Sequence, residues 1–270
     1  MRSSLIDTLF LSDKRKKLLL LLLEGSQTSD DIKEKLGVNW GAMIPQIKKM
    51  QEWNLLKTED RVYSLTPMGY SIAVNSKRLL NLLDVYGDNY EYLSTHKLSV
   101  IPDDLLERIG EINPCCVLES DLAHVFNANE DVCRAMEGSG KCVTLSNFFQ
   151  PQYNEMYNTL LKDGCDLTFV FSESVWKRVC EAYVYEDGKP TDPNSLDWKK
   201  CRVYTIPDGA DILEISVFDN GILMGFFDNE RRFDTRYILG TGESGCNWAT
   251  ELYHRITDGK LTRIETDVKD

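Results

Sequence analysis

Three histidines, His96, His124 and His254, stand far apart in this chain of 270 residues, so general acid–base chemistry has little to draw on. No serine occupies a G-x-S-x-G elbow and no H-E-x-x-H pair occurs. Gly240-Thr241-Gly242-Glu243-Ser244-Gly245 matches G-x-G-x-x-G ahead of a predicted helix. Too little chain follows it for the second βα unit of a dinucleotide site, so it reads as a turn and helix start. Eight cysteines (Cys115, Cys116, Cys133, Cys142, Cys165, Cys180, Cys201, Cys246) contain no C-x-x-C pair and read as reduced, buried thiols. Redox sensing and metal binding are the alternatives, although Cys115, Cys116, Cys133, Cys142 and His124 match no zinc spacing. Glu181, Glu186 and Asp187 read as a solvated helix end. The pattern predicts no catalytic residue, no metal and no cofactor.

A better-matched chemistry lies between residues 37 and 61. Side chains that read base edges in a major groove are short or hydrogen-bonding and lie near the start of an exposed helix. Asn39, Trp40, Ala42 and Gln46 hold those places, and the Gln46 amide can pair bidentately with adenine. Lys48 and Lys49 would meet phosphates, and Arg61, near a hairpin tip, would touch the backbone or enter a minor groove. Two features work against this set. Trp40 can equally pack the turn, and Glu59-Asp60 make the tip acidic.

The elements that position these residues follow from periodicity and caps. A first helix is expected from Asp13 to Glu24, with Ser12 as N-cap, the Leu18–Leu23 run as buried face and Gly25 as stop. Lys14, Arg15, Lys16 and Lys17 crowd its first turn, the end where the helix dipole disfavours cations. A second helix opens on Thr28 or Ser29, with Asp30 and Asp31 in its first turn, and ends at Gly37. After Gly37-Val38-Asn39 a third runs from Trp40 to about Trp53. Met43, Ile44, Ile47 and Met50 form its expected inward stripe, leaving Trp40, Ala42, Gln46 and Lys49 outward, with Pro45 as a bend. Extended runs at 55–57 and 62–65 then make a hairpin, completing the winged-helix order. Thr66-Pro67 opens a helix to about Val85, which Gly87 and Asp88 are expected to break. The expected organisation is a winged helix-turn-helix over 1–75, a linker or dimerisation helix over 66–87, and an α/β domain over 88–270.

In that domain strands are expected at 115–118, 142–145, 167–171, 202–206, 212–218, 221–227 and 236–239. Helices are expected at 103–112, 122–136, 151–162, 172–183 and 245–257. Alternation up to Tyr185 implies βα units with parallel pairing, whereas Asp219-Asn220-Gly221 is a hairpin turn. The charge divides along the same line. Residues 1–84 are net +3 and the remainder net −15, so the acidity belongs wholly to the second part. The six-leucine run is far short of the roughly 20 apolar residues of a membrane span. Asp7, Asp13 and Lys14–Lys17 interrupt any signal-peptide core, so a cytoplasmic location is expected.

Several stretches together resemble a known family. They are Ser12–Leu21, Trp53-Asn54-Leu55-Leu56, Leu65-Thr66-Pro67-Met68-Gly69, Phe148-Phe149-Gln150-Pro151-Gln152-Tyr153, Leu160–Asp166, Phe226-Phe227-Asp228 and Trp248–Tyr253. The chain resembles the archaeal, methanogen-type winged-helix regulators that carry a C-terminal methanogenesis or filamentation regulatory domain. The resemblance implies a homodimeric regulator of double-stranded DNA, and a fold of α+β or α/β class with a mixed α/β sensor domain for an unidentified effector. That domain is similar to the phospholipase-D-like fold, whose enzymes need H-x-K; none of the three histidines has lysine two residues on. Trp248 and Tyr253, on a helix after a glycine-rich turn, are the ligand candidates, with core packing as the alternative. Two other readings stand beside the regulator: an enzyme with an appended DNA-targeting module, and a cysteine-based redox or metal sensor.

Overall fold

Six consecutive leucines cannot share one face of a helix, and helix α2 (Asp13–Leu23) resolves this by burying a wide arc. Leu18, Leu19, Leu21 and Leu22 are buried in the computed structural model, which describes residues 4–119, 128–182, 185–186, 189–190 and 195–265. Cα packing divides the chain into two compact units, Met1–Leu80 and Asn81–Asp270.

In the first unit a short helix α1 (Leu5–Phe10), absent from the sequence reading, precedes α2. A two-residue strand β1 (Gln27–Thr28) follows, then α3 (Ser29–Leu36), α4 (Trp40–Glu52), β2 (Leu56–Glu59), β3 (Val62–Leu65) and α5 (Pro67–Asp88). Thr28 and Asp31 form a reciprocal capping box, which fixes the start of α3. Ser12 sits at the N-cap of α2 but makes no side-chain capping bond. The three strands pair in the order β1-β3-β2, all antiparallel. Asp60 and Arg61, both with φ near +50 to +65°, form the two-residue β2–β3 turn. Gly87 and Asp88 do not break α5; they complete it.

The Leu65–Gly69 segment shows how tightly this unit is fastened. The Thr66 hydroxyl donates to the Asn54 carbonyl at 2.6 Å and accepts the Gly69 N–H at 3.0 Å. Gly69 lies so close to the Leu55 carbonyl that a Cβ there would stand 1.7 Å from its oxygen.

The second unit opens with α6 (Tyr90–Leu93), α7 (Asp103–Leu106) and a 3-10 turn (Ile109–Ile112). The continuous helix expected over 103–112 is therefore interrupted. Next come β4 (Cys115–Leu118), α8 (Glu130–Met136), β5 (Lys141–Ser146), α9 (Asn154–Lys162), β6 (Asp166–Ser172) and α10 (Glu173–Ala182). The helix expected over 122–136 begins only at Glu130 within the described residues. A small β7 (Tyr185–Glu186) and β8 (Lys189–Pro190) pair precedes β9 (Arg202–Ile206), β10 (Ile212–Phe218), β11 (Gly221–Phe226), β12 (Tyr237–Thr241), α11 (Glu243–Thr257) and β13 (Thr262–Ile264).

Eight strands form one mixed sheet in the order β13-β9-β6-β5-β10-β11-β12-β4. The β5–β6 and β6–β9 pairs are parallel, joined by α9 and α10 crossovers, and the other five pairs are antiparallel. One face carries a core with Val132, Tyr157, Leu160, Val175 and Trp198. The opposite face carries a second core with Val85, Tyr92, Leu105, Trp248 and Leu252. The class is mixed α and β, a helical N-terminal unit followed by a sheet unit.

Gly69→Ala forces backbone atoms apart in a packed turn and is expected to destabilise the first unit by about 3 kcal/mol, the upper end for overpacking. Denaturant unfolding followed by circular dichroism checks this, and a midpoint equal to the parent would contradict it.

Candidate nucleic-acid interface

Helix α4 buries Met43, Ile47 and Met50. At about 100° per residue, the line opposite that stripe runs through Gly41, Pro45, Lys48 and Glu52. All four are exposed, flanked by exposed Ala42, Ile44 and Gln51 and by half-buried Lys49. Ile44 is thus not part of the inward stripe; its side chain is 38% exposed. Pro45 deprives the Gly41 carbonyl of its helical donor, a loss water can repair on this solvent face.

The expected readers divide into three groups. Ala42, Lys48 and Lys49 lie together on or beside the outward line of α4. Asn39 is an N-cap whose Oδ1 accepts the Gly41 N–H at 2.8 Å, and Trp40 is half-buried, packed edge-on to Tyr63 with centroids 5.7 Å apart. Both spend their side chains on the turn. Gln46 needs a correction: it sits on the flank, half-buried, and its Oε1 accepts a bond from Arg15 Nη1 at 2.5 Å. Arg15 also donates to the Thr8 carbonyl, so its charge links α1, α2 and α4 rather than standing free for a phosphate. Arg61 is exposed at the hairpin tip, while neighbouring Lys57 and Glu59 pair at 2.8 Å. The outward face therefore presents small and apolar groups along its first turns, with Lys48 and Lys49 beyond them. Sequence reasoning placed Ile44 in the inward stripe because an apolar residue next to a core position reads as core, and it read Pro45 as a bend.

In the second unit the two ligand candidates part. Trp248 is fully buried and its indole N–H donates to the Leu105 carbonyl at 2.9 Å, so it is core, not ligand-facing. Tyr253 borders an open groove of about 450 Å³ with Arg202, Tyr204, Thr250 and His254. His124 lies outside the described residues. His96 is buried, stacked on Tyr92 at 3.7 Å with Nδ1 2.7 Å from the Tyr92 carbonyl, and its Nε2 lies 3.2 Å from Asp234. Arg236 forks onto Asp234 from the other side, so this histidine pins the 228–236 loop. Gly240–Gly245 comprises the end of β12, Gly242 at the N-cap and the first turn of α11.

Burial pushes the Cys115, Cys142 and Cys201 thiols up to about 12 and Cys165 up to about 11. That is the opposite of the direction a reactive thiolate requires. Among the described residues no three His, Cys, Asp or Glu side chains are grouped to hold a metal ion. Among the same residues no helix is long and apolar enough to cross a membrane.

Comparison with known proteins gives a consistent family. The family described as "Methanogenesis regulatory protein FilR1, N-terminal domain" matches residues 3–84, and "Methanogenesis regulatory protein FilR1, middle domain" matches residues 125–259. A methanogenesis regulatory protein FilR1 from Methanothrix harundinacea (strain 6Ac) is 22% identical over 270 residues, covering 94% of this chain and 58% of that protein. The chain thus spans little more than half the length of that relative. Among solved structures, the archaeal chromatin protein TrmBL2 aligns over 96% of this chain and 97% of its own, at 10% identity and a TM-score of 0.40. Wild-type ZitR of Lactococcus lactis aligns over 41% of this chain and 73% of its own, at 26% identity and a TM-score of 0.26. TM-scores this low establish no common fold.

Two outcomes follow from the geometry. Gln46→Ala removes the acceptor for Arg15 and should lower stability by about 1 kcal/mol, read as a lower thermal midpoint. An unchanged midpoint would mean that the bond contributes nothing. With a disulfide reagent on the native protein, exposed Cys116 and Cys180 should be modified first, and Cys142, Cys165 and Cys201 only on unfolding. Early labelling of the buried three, read by peptide mass mapping, would contradict the packing.

Proposed function

Because this chain belongs to the FilR1 family of methanogenesis regulatory proteins, we propose that it is a DNA-binding transcriptional regulator whose sheet unit receives the signal. One observation carries the DNA reading: the outward face of α4 is free of acid along its first turns, where Gly41, Ala42, Ile44 and Pro45 are exposed, and Lys48 and Lys49 follow. Ala42, Ile44 and Pro45 enter the major groove, Lys48 and Lys49 meet phosphates, and Arg61 reaches from the wing to the backbone. Asn39, Trp40 and Gln46 support the helix rather than read bases. The net +3 of residues 1–84 against −15 for the rest favours DNA contact by the first part alone.

We read the domain organisation as a DNA-reading domain within 1–75, a linker or dimerisation helix over 66–87 and a regulatory unit over 88–270, while Cα packing divides the chain between Leu80 and Asn81. Its mixed sheet is read as a phospholipase-D-like fold without the H-x-K pair, and the protein as a cytoplasmic non-enzyme. The three histidines support that absence of catalysis, since His96 is used structurally and none precedes a lysine by two residues. A homodimer is supported by apolar side chains exposed in the first unit, Ile6, Leu11, Met68, Tyr70 and Leu79. Two recognition helices of a dimer would occupy half-sites roughly 34–36 Å apart. Light scattering giving twice the chain mass of 31.0 kDa checks the dimer.

The DNA reading is tested by selecting duplexes from a random pool and measuring their affinity against salt. Lys48→Ala should weaken selected and unselected duplexes alike and flatten the slope of log K against log salt by about one unit. Ala42→Glu, which sets a carboxylate in the groove, should abolish binding. Full affinity in a Lys48→Ala, Lys49→Ala double variant, or no duplex retained from the pool, would overturn the reading.

A further inference from the structure

Among the described residues, the sheet unit hides a carboxylate with no Lys, Arg or His side chain bonded to it. Glu214 on β10 is 3% exposed, and among the described residues its oxygens accept from Ser216 Oγ, at 3.0 Å, and from the Gln150 amide. Ser216 Oγ lies 2.9 Å from Thr144 Oγ1 on β5, which lies 3.7 Å from Cys142 Sγ. Beside them is a cavity of about 30 Å³, walled by Phe148, Tyr157, Phe169, Phe171 and Trp198. The rings interlock: Tyr157 and Phe169 are 5.0 Å apart, and Trp198 stands edge-on to Phe169 and Phe171 at 5.3 and 5.8 Å. Among the described residues that line it, none is Lys, Arg or His.

The titratable groups facing Glu214 are Cys142 on β5, Tyr153 on the turn before α9, Tyr157 on α9 and Tyr237 on β12. Burial raises all of them, so each is neutral near pH 7. Burial likewise pushes the Glu214 carboxyl from 4.5 up to about 7. A buried carboxylate without a counter-charge is costly, and such groups cluster at functional sites.

We propose that this cavity is the binding site for a small ammonium-class cation, ammonium or methylammonium, held between the Glu214 carboxylate and the aromatic wall. Three features select that class. The carboxylate supplies the missing negative charge, and aromatic rings of the kind that line the cavity attract cations. The Thr144 hydroxyl oxygen, which lines the cavity, can accept from an N–H group. By size, one water needs roughly 10–15 Å³ of such space, so the cavity takes an ion of one or two heavy atoms and no larger. Binding replaces the carboxyl proton: the acid loses H⁺ to solvent and the cation takes its place, so charge balances.

This assignment rests on reading the sheet unit as the signal receiver, and the binding test needs no DNA. The full chain is titrated with methylammonium chloride, read by calorimetry and by the fluorescence of Trp198. A saturable response is expected, about tenfold weaker at pH 6 than at pH 8 because the ionised fraction of Glu214 falls by that factor. Tetramethylammonium should give none. Glu214→Gln keeps the side-chain shape and should lose the response with an unchanged circular dichroism spectrum. No saturation, an equal response to potassium, or equal binding by Glu214→Gln would overturn the site. A response that saturates yet leaves DNA affinity unchanged upholds the site and removes the sensor reading instead.

Discussion

The sheet unit depends on covering both faces of its central strands. Every residue of β11 is buried, as are six of the seven residues of β10 and six of the seven of β6. Side chains alternate across a strand, so each strand must satisfy two apolar layers at once. Helices α8, α9 and α10 supply one layer, and the 81–112 segment with α11 supplies the other. This requirement draws Trp248 inward and leaves its single polar atom to find the Leu105 carbonyl. Among the described side chains of the unit, Glu214 is the acidic one that ends up buried. It lies in a strand, held there by neutral hydrogen bonds.

The first unit solves a smaller problem by a different route. Its core centres on four leucines of α2, Leu18, Leu19, Leu21 and Leu22, with side chains of α1, α3, α4, α5 and the Leu55-Leu56 segment packed around them. Side chains that might have reached outward are used to hold it together. Arg15 fastens α2 to α4 through Gln46, Asn39 caps α4, and Thr66 closes the turn before α5. What remains exposed on α4 is short and mostly uncharged until Lys48. Such a face can approach a groove closely because nothing long projects from it. Close approach, more than any single long side chain, is the physical basis for reading it as a recognition surface.

Much of the architecture is dictated by local chemistry and can be read without coordinates. Thr28 and Asp31 cap one helix, Thr66-Pro67 opens another, and β5, β6, β10 and β11, short runs rich in apolar and β-branched residues, announce themselves as strands. Asn220-Gly221 does mark a hairpin, although Gly221 belongs to the strand, paired with Phe218. These signals work because caps, turns and periodicities involve neighbours in sequence. Elements such as α1, β1 and β13 carried no such signal: each is too short to show a period and exists because packing or pairing favours it. The sites were less legible for the same reason. Ile44 is apolar and next to a core position, yet one helical step of about 100° carries it to the surface. Gln46 has a base-reading amide, yet a side chain 31 positions away takes it up. Trp248 and Glu214 exchange the roles their types suggest, the aromatic becoming core and the acid lining a cavity. Residue type and spacing determine what a side chain can do. Only the tertiary structure decides what faces it, because the walls around Glu214 come from β5, β6, β10 and the 148–157 segment, which the chain brings together only by folding.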